Sequence, residues 1–211
     1  MPLIGVGLGV LTIGAVALLM RDGGPSKGAL GDGQTEASDD VASPTTPSFR
    51  FTSSSRELVR TSLERVDRRH RRAGLRAATT AQDVLTDLYT EGFLDPANWG
   101  PGRYDEAFRG FTRRAREQAE ARPALLTAGP QAGDRFEQIL PQSGRIATRV
   151  LLDREGVPTL LVSTVRFAAI ASGPEPVTLR SSGQFFFERV GGSWKLVSFH
   201  VTRRDTPGEA A

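Results

Sequence analysis

An uncharged apolar run near the start of the chain constrains its architecture more than any other feature. Residues 3–20 read LIGVGLGVLTIGAVALLM, eighteen positions in which Thr12 is the only polar side chain. As an α-helix this run would be about 27 Å long, close to the roughly 30 Å hydrocarbon core of a bilayer. It has no polar face, so it does not fit a surface helix of a globular domain. The sequence therefore predicts a transmembrane anchor over residues 1–20.

A cleaved secretory signal is the main alternative for this run. Only Met1 and Pro2 precede it, so the basic start of a signal is missing, and the run exceeds the roughly 7–15 apolar residues of a signal. No small-residue cleavage site follows, and a chain without cysteine cannot carry a lipoprotein signal. These features favour an uncleaved single-pass anchor. The charge rule leaves its orientation open, because Arg21 and Lys27 both follow the run and only weakly favour a cytoplasmic C-terminal domain.

Two segments of different composition follow the anchor. Residues 21–50 are rich in Gly, Ser, Thr, Pro and Asp, which predicts a disordered linker. Residues 51–78 form a basic helical or linker segment centred on RVDRRHRR. Its arginines form a solvated helix face in the simplest interpretation, and contact anionic lipid headgroups or an acidic partner in the other. The arginines in question are Arg65, Arg68, Arg69, Arg71 and Arg72.

Nucleic acid is not an expected partner of this basic segment. No aromatic side chain lies between the arginines to stack on bases, and the net charge of the whole chain is only +3.

Residues 79–205 show helical patterns first and strand patterns afterwards, and residues 206–211 form a tail. We expect Thr80 to cap a helix that ends before Pro96, and a second amphipathic helix to run from near Arg103 to Pro123. Alternation predicts strands over residues 145–153, 158–169, 177–190 and 194–203. Helices followed by strands predict an α+β domain in which helices pack on a bent antiparallel sheet.

The last two strands carry specific expectations. Gly183 is expected at a bulge or bend, and the Gly191-Gly192 pair at a tight hairpin turn. Alternation in the final strand places one set of side chains together on one face, with its histidine directed to the core. That set is Trp194, Leu196, Ser198, His200 and Thr202.

The closing sequence, FFFERVGGSWKLVSFHVTRRD, ends a layout of helices followed by long strands. This layout resembles the nuclear transport factor 2-like fold, a cone whose mouth can hold a ligand. With an N-terminal membrane helix and linker ahead of it, the chain is similar to the Mce-associated membrane proteins of actinobacteria. It also resembles the bitopic assembly subunits of type IV secretion machines. The resemblance implies a domain outside the cytoplasmic membrane, held by one membrane pass.

Three functions follow from this resemblance. The leading one is a non-catalytic, membrane-anchored interaction or assembly domain, accessory to a lipid-import (Mce-type) or secretion complex. The alternative is a module that binds a lipid or another small apolar ligand in the cone. The residues expected to line that cavity are Tyr89, Phe93, Trp99, Tyr104, Phe108, Phe185, Phe187 and His200.

The third function, a ketosteroid-isomerase-like enzyme, has the least support in the sequence. It needs a carboxylate base and hydrogen-bond donors that converge on an apolar cavity. Only Asp83, Asp87, Tyr104 and His200 could supply them, and no ordered motif links these residues. A metal site is not expected, because His70 and His200 are far apart in sequence and no carboxylate lies at ligand spacing. We predict no catalysis and no cofactor.

Overall fold

Five strands form one mixed sheet, in the spatial order in which they occur along the chain. The computed structural model describes residues 48–60 and 67–208, except for the side chains of residues 53 and 54. The predicted membrane helix, most of the predicted linker, Arg65 and residues 209–211 of the predicted tail lie outside the described residues, and the first two tail residues belong to β5. The strands are β1 (Thr52–Arg60), β2 (Gln138–Leu152), β3 (Pro158–Ser172), β4 (Val177–Val190) and β5 (Ser193–Pro207).

The pairing of these strands is antiparallel except at one edge. β2 to β5 form three successive antiparallel pairs, whereas β1 runs parallel to β2. The chain between β1 and β2 contains the helices, which gives a parallel pair the long crossover that it requires. The predicted α+β class is therefore confirmed, but the prediction of an all-antiparallel sheet is wrong at this edge.

One helix, α1 (Arg68–Tyr89), packs along the sheet. It starts where the Asp67 side chain accepts a hydrogen bond from the backbone N–H of His70, 2.8 Å away. The predicted start at Thr80 is wrong, because the Thr80 hydroxyl donates to the carbonyl of Arg76 within the continuous helix. The boundary that we predicted between residues 78 and 79 lies inside α1.

The second predicted helix is interrupted near its middle. The helical part is a short helix, α2 (Arg113–Glu120), and the residues just before it, Gly110 and Thr112, form hydrogen bonds with β5. The backbone N–H of Leu196 donates to the Gly110 carbonyl (3.0 Å), and that of Thr112 donates to the Leu196 carbonyl (2.9 Å). A Cβ at Gly110 would lie 2.4 Å from Val84 of α1. This close approach and the two bonds hold the chain out of helical geometry. A single turn, α3 (Ala132–Arg135), precedes β2.

The sheet has an inner face, against which α1 packs, and an outer face, on which no described helix lies. Inner side chains such as Val150, Val165 and Phe185 are fully buried. Outer side chains alternate with them and are half-buried or exposed. Of the four predicted strands, that of residues 177–190 has the bounds of β4, and β3 starts where predicted and ends three residues later. β5 starts one residue before its prediction and ends four residues after it, whereas β2 starts seven residues before the predicted start at Arg145.

A β-bulge in β5 lies at a place that the sequence did not indicate. Phe186 pairs with Ser198 but Phe187 pairs with Leu196, so Val197 is the extra residue. The prediction of a bulge at Gly183 is wrong, because pairing is continuous there. Instead, a Cβ on Gly183 would come within 2.4 Å of a β5 carbonyl oxygen, so glycine permits close approach of the two backbones.

The bulge reverses the alternation along β5. Leu196 faces inward, and after the extra residue Phe199 and Val201 face inward as well. His200 is therefore exposed on the outer face, and the prediction that it points into the core is wrong. An alternation read through the bulge without the added residue assigns every later side chain to the opposite face.

Candidate functional site

Aromatic rings fill the space between α1 and the inner face. The Tyr89 ring centre lies 5.3 Å from that of Phe93 in a stacked arrangement, and 4.8 Å from that of Phe167. Phe51 contacts Tyr89 edge-on at 5.2 Å, and Phe49 contacts Phe167 at 5.4 Å. These separations are those of rings in direct contact, so no ligand fits between them.

Seven of the eight predicted cavity residues are buried in the core, in which the aromatic rings form two groups, and His200 is exposed. Tyr89, Phe93 and Phe185 belong to the aromatic interior. A second group surrounds the Tyr104 and Phe108 rings, whose centres are 5.8 Å apart, and continues through Phe111 to Phe199. His200 belongs to neither group. Trp99 and Phe187 are buried in the same core, and the indole N–H of Trp99 donates to the Phe93 carbonyl at 3.0 Å.

The two tyrosines of the interior are held neutral. The hydroxyl groups of Tyr89 and Ser181 form a buried hydrogen bond of 2.9 Å. Burial raises the pKa of the Tyr89 hydroxyl far above its ordinary value, and the bond with Ser181 offsets part of this rise. Burial also raises the pKa of Tyr104, whose hydroxyl has no hydrogen-bond partner among the described residues. Neither hydroxyl is suited to act as a base near neutral pH.

The structure separates the residues that an isomerase-like site would need. Asp83 is exposed on α1, and Asp87 forms a surface ion pair with Arg109 at 3.2 Å. Tyr104 is buried next to Phe108, whereas His200 is exposed on the outer face of the sheet. No hydrogen bond joins any two of these four within the described residues.

The histidines are likewise apart. His70 lies 3.1 Å from the Asp67 carboxylate at the start of α1, and His200 is on β5. The described part of the chain contains no group of three or more His, Cys, Asp or Glu side chains that could hold a metal ion.

A buried arginine at the end of the inner face was missed by sequence reasoning. Arg203 forms a two-point bond with Asp205 at 2.8 and 2.9 Å, and it also donates to the carbonyls of Ala124 and Thr127. Its guanidinium carbon lies 5.6 Å from the centre of the Phe93 ring. Only 8 % of its side chain is exposed. The available signal was the i, i+2 spacing of Arg203 and Asp205, which places opposite charges on one side of a strand.

One end of the outer face is apolar. We call its five side chains the apolar patch, and they lie on the strand pairs Leu151–Leu160 and Val162–Phe186 and on the adjacent β1. All are half-buried or exposed, because no described element covers them. The patch consists of Val59, Leu151, Leu160, Val162 and Phe186.

The other end of the outer face is basic. Arg145 and Arg166 are directly opposite each other on β2 and β3, and Arg180 and Arg204 on β4 and β5. We call these four residues the arginine cluster. All four are exposed, and within the described ranges none forms a salt bridge. An open cleft of about 580 Å³ lies between Arg166 and Arg180.

The basic segment predicted from the sequence lies elsewhere. Arg68, Arg69, Arg71 and Arg72 occupy the first turns of α1 and are exposed. A Cβ on Gly156, in the turn between β2 and β3, would lie 2.8 Å from the His70 ring. This contact places the start of α1 beside that turn, at the end of the sheet remote from the arginine cluster.

Comparison of the chain with protein-family models, with curated proteins and with solved structures finds no match. Among the helices that the structure describes, none has the length and apolar character needed to span a membrane.

Proposed function

We propose that this protein is a membrane-anchored, non-catalytic interaction domain that docks a partner protein on the outer face of its sheet. The apolar patch carries this proposal. Its side chains extend across four strands and are rimmed by charged residues, the Glu57–Arg149 ion pair beside Val162 and Glu188 opposite Leu160. Uncovered apolar surface with a polar rim is typical of protein contact sites. The apolar run of residues 3–20 supplies the proposed anchor.

The finer assignment rests on the resemblance of the sequence. We propose a nuclear transport factor 2-like fold, a domain located outside the cytoplasm, and a role accessory to a lipid-import or secretion complex. A sheet with one face covered by helices is compatible with this fold. Binding of an apolar ligand inside the domain has less support, because Tyr89, Phe93 and Phe167 are already in mutual ring contact.

Site-specific photocrosslinking in membranes of cells that express the full chain tests the docking surface. A photoreactive residue at Val162 or Phe186 is expected to give a discrete crosslinked protein. The same residue at Thr79, which is exposed on α1, is the control and is expected to give none. Val162→Asp should abolish the crosslink from Phe186, because a carboxylate in a dry contact is strongly unfavourable. Equal crosslinking from Thr79 and Phe186, or none from either, would refute the proposal.

The location is tested separately by a reporter fused after Ala211 that is active only outside the cytoplasm. We expect activity with the full chain and none when residues 3–20 are deleted. A reporter that is inactive behind the intact chain would place the domain in the cytoplasm and refute this part of the proposal.

A further inference from the structure

The arginine cluster places like charges together, and no described acid forms a salt bridge with any of its four side chains. Residues directly opposite on neighbouring strands have Cβ atoms about 5 Å apart, and like charges in such pairs destabilise a sheet. Here two such pairs are adjacent, because Ala168 pairs with Arg180 and lies two residues from Arg166. Hydroxyl groups lie among them, at Ser143 and Ser182. Guanidinium and hydroxyl groups together form a surface that suits phosphate oxygens.

An apolar row lies just beyond the arginines, at the end of the sheet. Leu140 and Ile170 are opposite each other on β2 and β3, and each is 42 % exposed. Ile170 is two residues beyond Ala168, the neighbour of Arg180, which corresponds to about 7 Å along a strand. Apolar side chains on membrane-surface proteins enter the headgroup and acyl boundary by roughly 5–10 Å. The distance from the arginines to the apolar row is therefore similar to the distance from the lipid phosphates to the start of the acyl chains.

The chain also enters the domain at this end. A Cβ on Gly144 would lie 2.5 Å from the Phe49 ring, and Thr52 pairs with Arg145 of the arginine cluster. The first described residue, Ser48, is thus next to the basic end of the sheet. The residues before it lead, in the proposed function, to the membrane anchor.

We propose that the arginine cluster and the Leu140–Ile170 row dock on the surface of an anionic phospholipid bilayer. The phosphate groups of the lipids bind the four guanidinium groups, and the two apolar side chains enter the acyl boundary. Docking turns the apolar patch, at the other end of the same face, away from the bilayer. This inference rests on the anchored location in the proposed function.

The opposite end of the domain makes a competing basic surface. Arg71 and Arg72 of α1 lie beside the β2–β3 turn, which is seven residues, or about 23 Å, from Arg145 along β2. When one end of the sheet contacts a bilayer, the other end is held away from it. The two surfaces can therefore be separated by experiment, because probes at the two ends report different orientations.

The test uses the full chain in vesicles and a single cysteine, since the chain has none of its own. A fluorophore is attached at Thr206→Cys, in the row of Ile170, or at Glu155→Cys, in the β2–β3 turn; both positions are exposed. Vesicles contain phosphatidylcholine alone or equal parts of phosphatidylcholine and phosphatidylglycerol, with a lipid-borne quencher in each. We expect quenching at residue 206 only with phosphatidylglycerol, and none at residue 155.

Matched variants separate this site from net charge. Arg166→Gln with Arg180→Gln should lower the ratio of docked to undocked domain about 30-fold, from about fivefold for each arginine removed. Arg71→Gln with Arg72→Gln removes the same charge and should leave the ratio unchanged. Ile170→Ser should weaken docking at any ionic strength, whereas about 1 M salt, with its Debye length of about 3 Å, should cancel the arginine contribution.

Three results would overturn the inference. Quenching at residue 155 in place of residue 206 would assign the membrane contact to the start of α1. Equal losses from both arginine pairs would reduce the effect to net charge. If a polyglutamate peptide covered the probe at residue 206 while anionic vesicles left its fluorescence unchanged, the surface would be assigned to an acidic protein segment. If alkaline carbonate extracted the chain from membranes, the proposed anchor would be contradicted. The docking would still be testable, because the probe at residue 206 reports contact with added vesicles.

Discussion

Replacement of Arg203 by methionine tests how the end of β5 is held to the chain that follows α2. Arg203 joins the carboxylate of Asp205 to the carbonyls of Ala124 and Thr127, in a position where its side chain is 8 % exposed. Methionine keeps most of the aliphatic volume and removes all five donors of the guanidinium group. The substitution therefore isolates the polar contribution from the packing.

The contacts of Arg203 set the expected loss. Removal of one partner of a buried ion pair costs about 3–5 kcal/mol, because the other charge stays behind without compensation. The Asp205 side chain is 33 % exposed, so water can reach the freed carboxylate and reduce the penalty. We expect Arg203→Met to lower the free energy of unfolding by about 3 kcal/mol. Arg203→Lys keeps the charge without the two-point geometry and should lower it by about half as much.

Urea unfolding of the full chain in detergent micelles, followed by tryptophan fluorescence, measures this loss. Both tryptophans lie in the described domain, and Trp99 is buried, so the signal reports the domain and not the predicted anchor. The urea concentration at the unfolding midpoint should be lowest for Arg203→Met, higher for Arg203→Lys and highest for the wild type. A methionine variant within about 0.5 kcal/mol of the wild type, the range of a neutral surface substitution, would show that the network does not stabilise the fold.

Two further predictions concern polar groups of the domain, the buried Tyr89 hydroxyl and the half-buried Glu91 carboxylate. Tyr89→Phe should lower the free energy of unfolding by about 1 kcal/mol through loss of the bond to Ser181, and the double variant with Ser181→Ala should cost less than the sum of the single ones. Additive losses in urea unfolding would show that the two hydroxyls are not coupled. Burial raises the pKa of Glu91 above its ordinary 4.5, partly offset by a hydrogen bond from Asn98, so the folded state keeps this proton to higher pH than the unfolded chain. The free energy of unfolding should therefore fall as pH rises from 4.5 through the raised value, and Glu91→Gln should remove this fall; identical pH profiles would contradict the assignment.

The strands of residues 145–203 could be predicted because each shows alternation against a single buried face. β4 has the predicted bounds, and its buried residues Leu179, Ser181 and Phe185 occur at even separations. Alternation is a strong signal in such a strand, since one register alone buries the apolar set. The turn at Gly191 and Gly192, both with positive φ, was equally predictable from sequence.

β1 could not be predicted, because its sequence TSSSRELVR carries little apolar signal. Leu58 is the inward apolar residue that approaches α1, at Gly74, and the outward Glu57 pairs with Arg149 at 2.9 Å. An edge strand of this kind is specified by its pairing with β2 and by one ion pair, which a single sequence does not display. The bulge at Val197 was missed for a related reason. Nothing in the residues around it distinguishes an added residue from continuous alternation.

The candidate site was only partly predictable for a different reason. Sequence reasoning could list the aromatic residues but could not decide whether they line a space or fill it. That outcome depends on ring orientations, such as the stacking of Tyr89 on Phe93 at an angle of 10°. The burial of Arg203 depends on carbonyls of the loop near Ala124, about 80 residues earlier in the chain.

The distribution of phenylalanine between the two faces explains why the outer face is the surface to test. All eleven phenylalanines lie in the described residues; eight are buried in the core, and Phe49 and Phe199 pack against it. Phe186 alone is on the outer face, opposite Val162 in the apolar patch. Phe186 is half-buried beside Val162, so its replacement should lower the free energy of unfolding by no more than a cross-strand pair contributes, about 0.2–1 kcal/mol, and the domain should stay folded. Any loss of crosslinking in a Val162 or Phe186 variant can then be assigned to binding, whereas the same change on the inner face would unfold the domain.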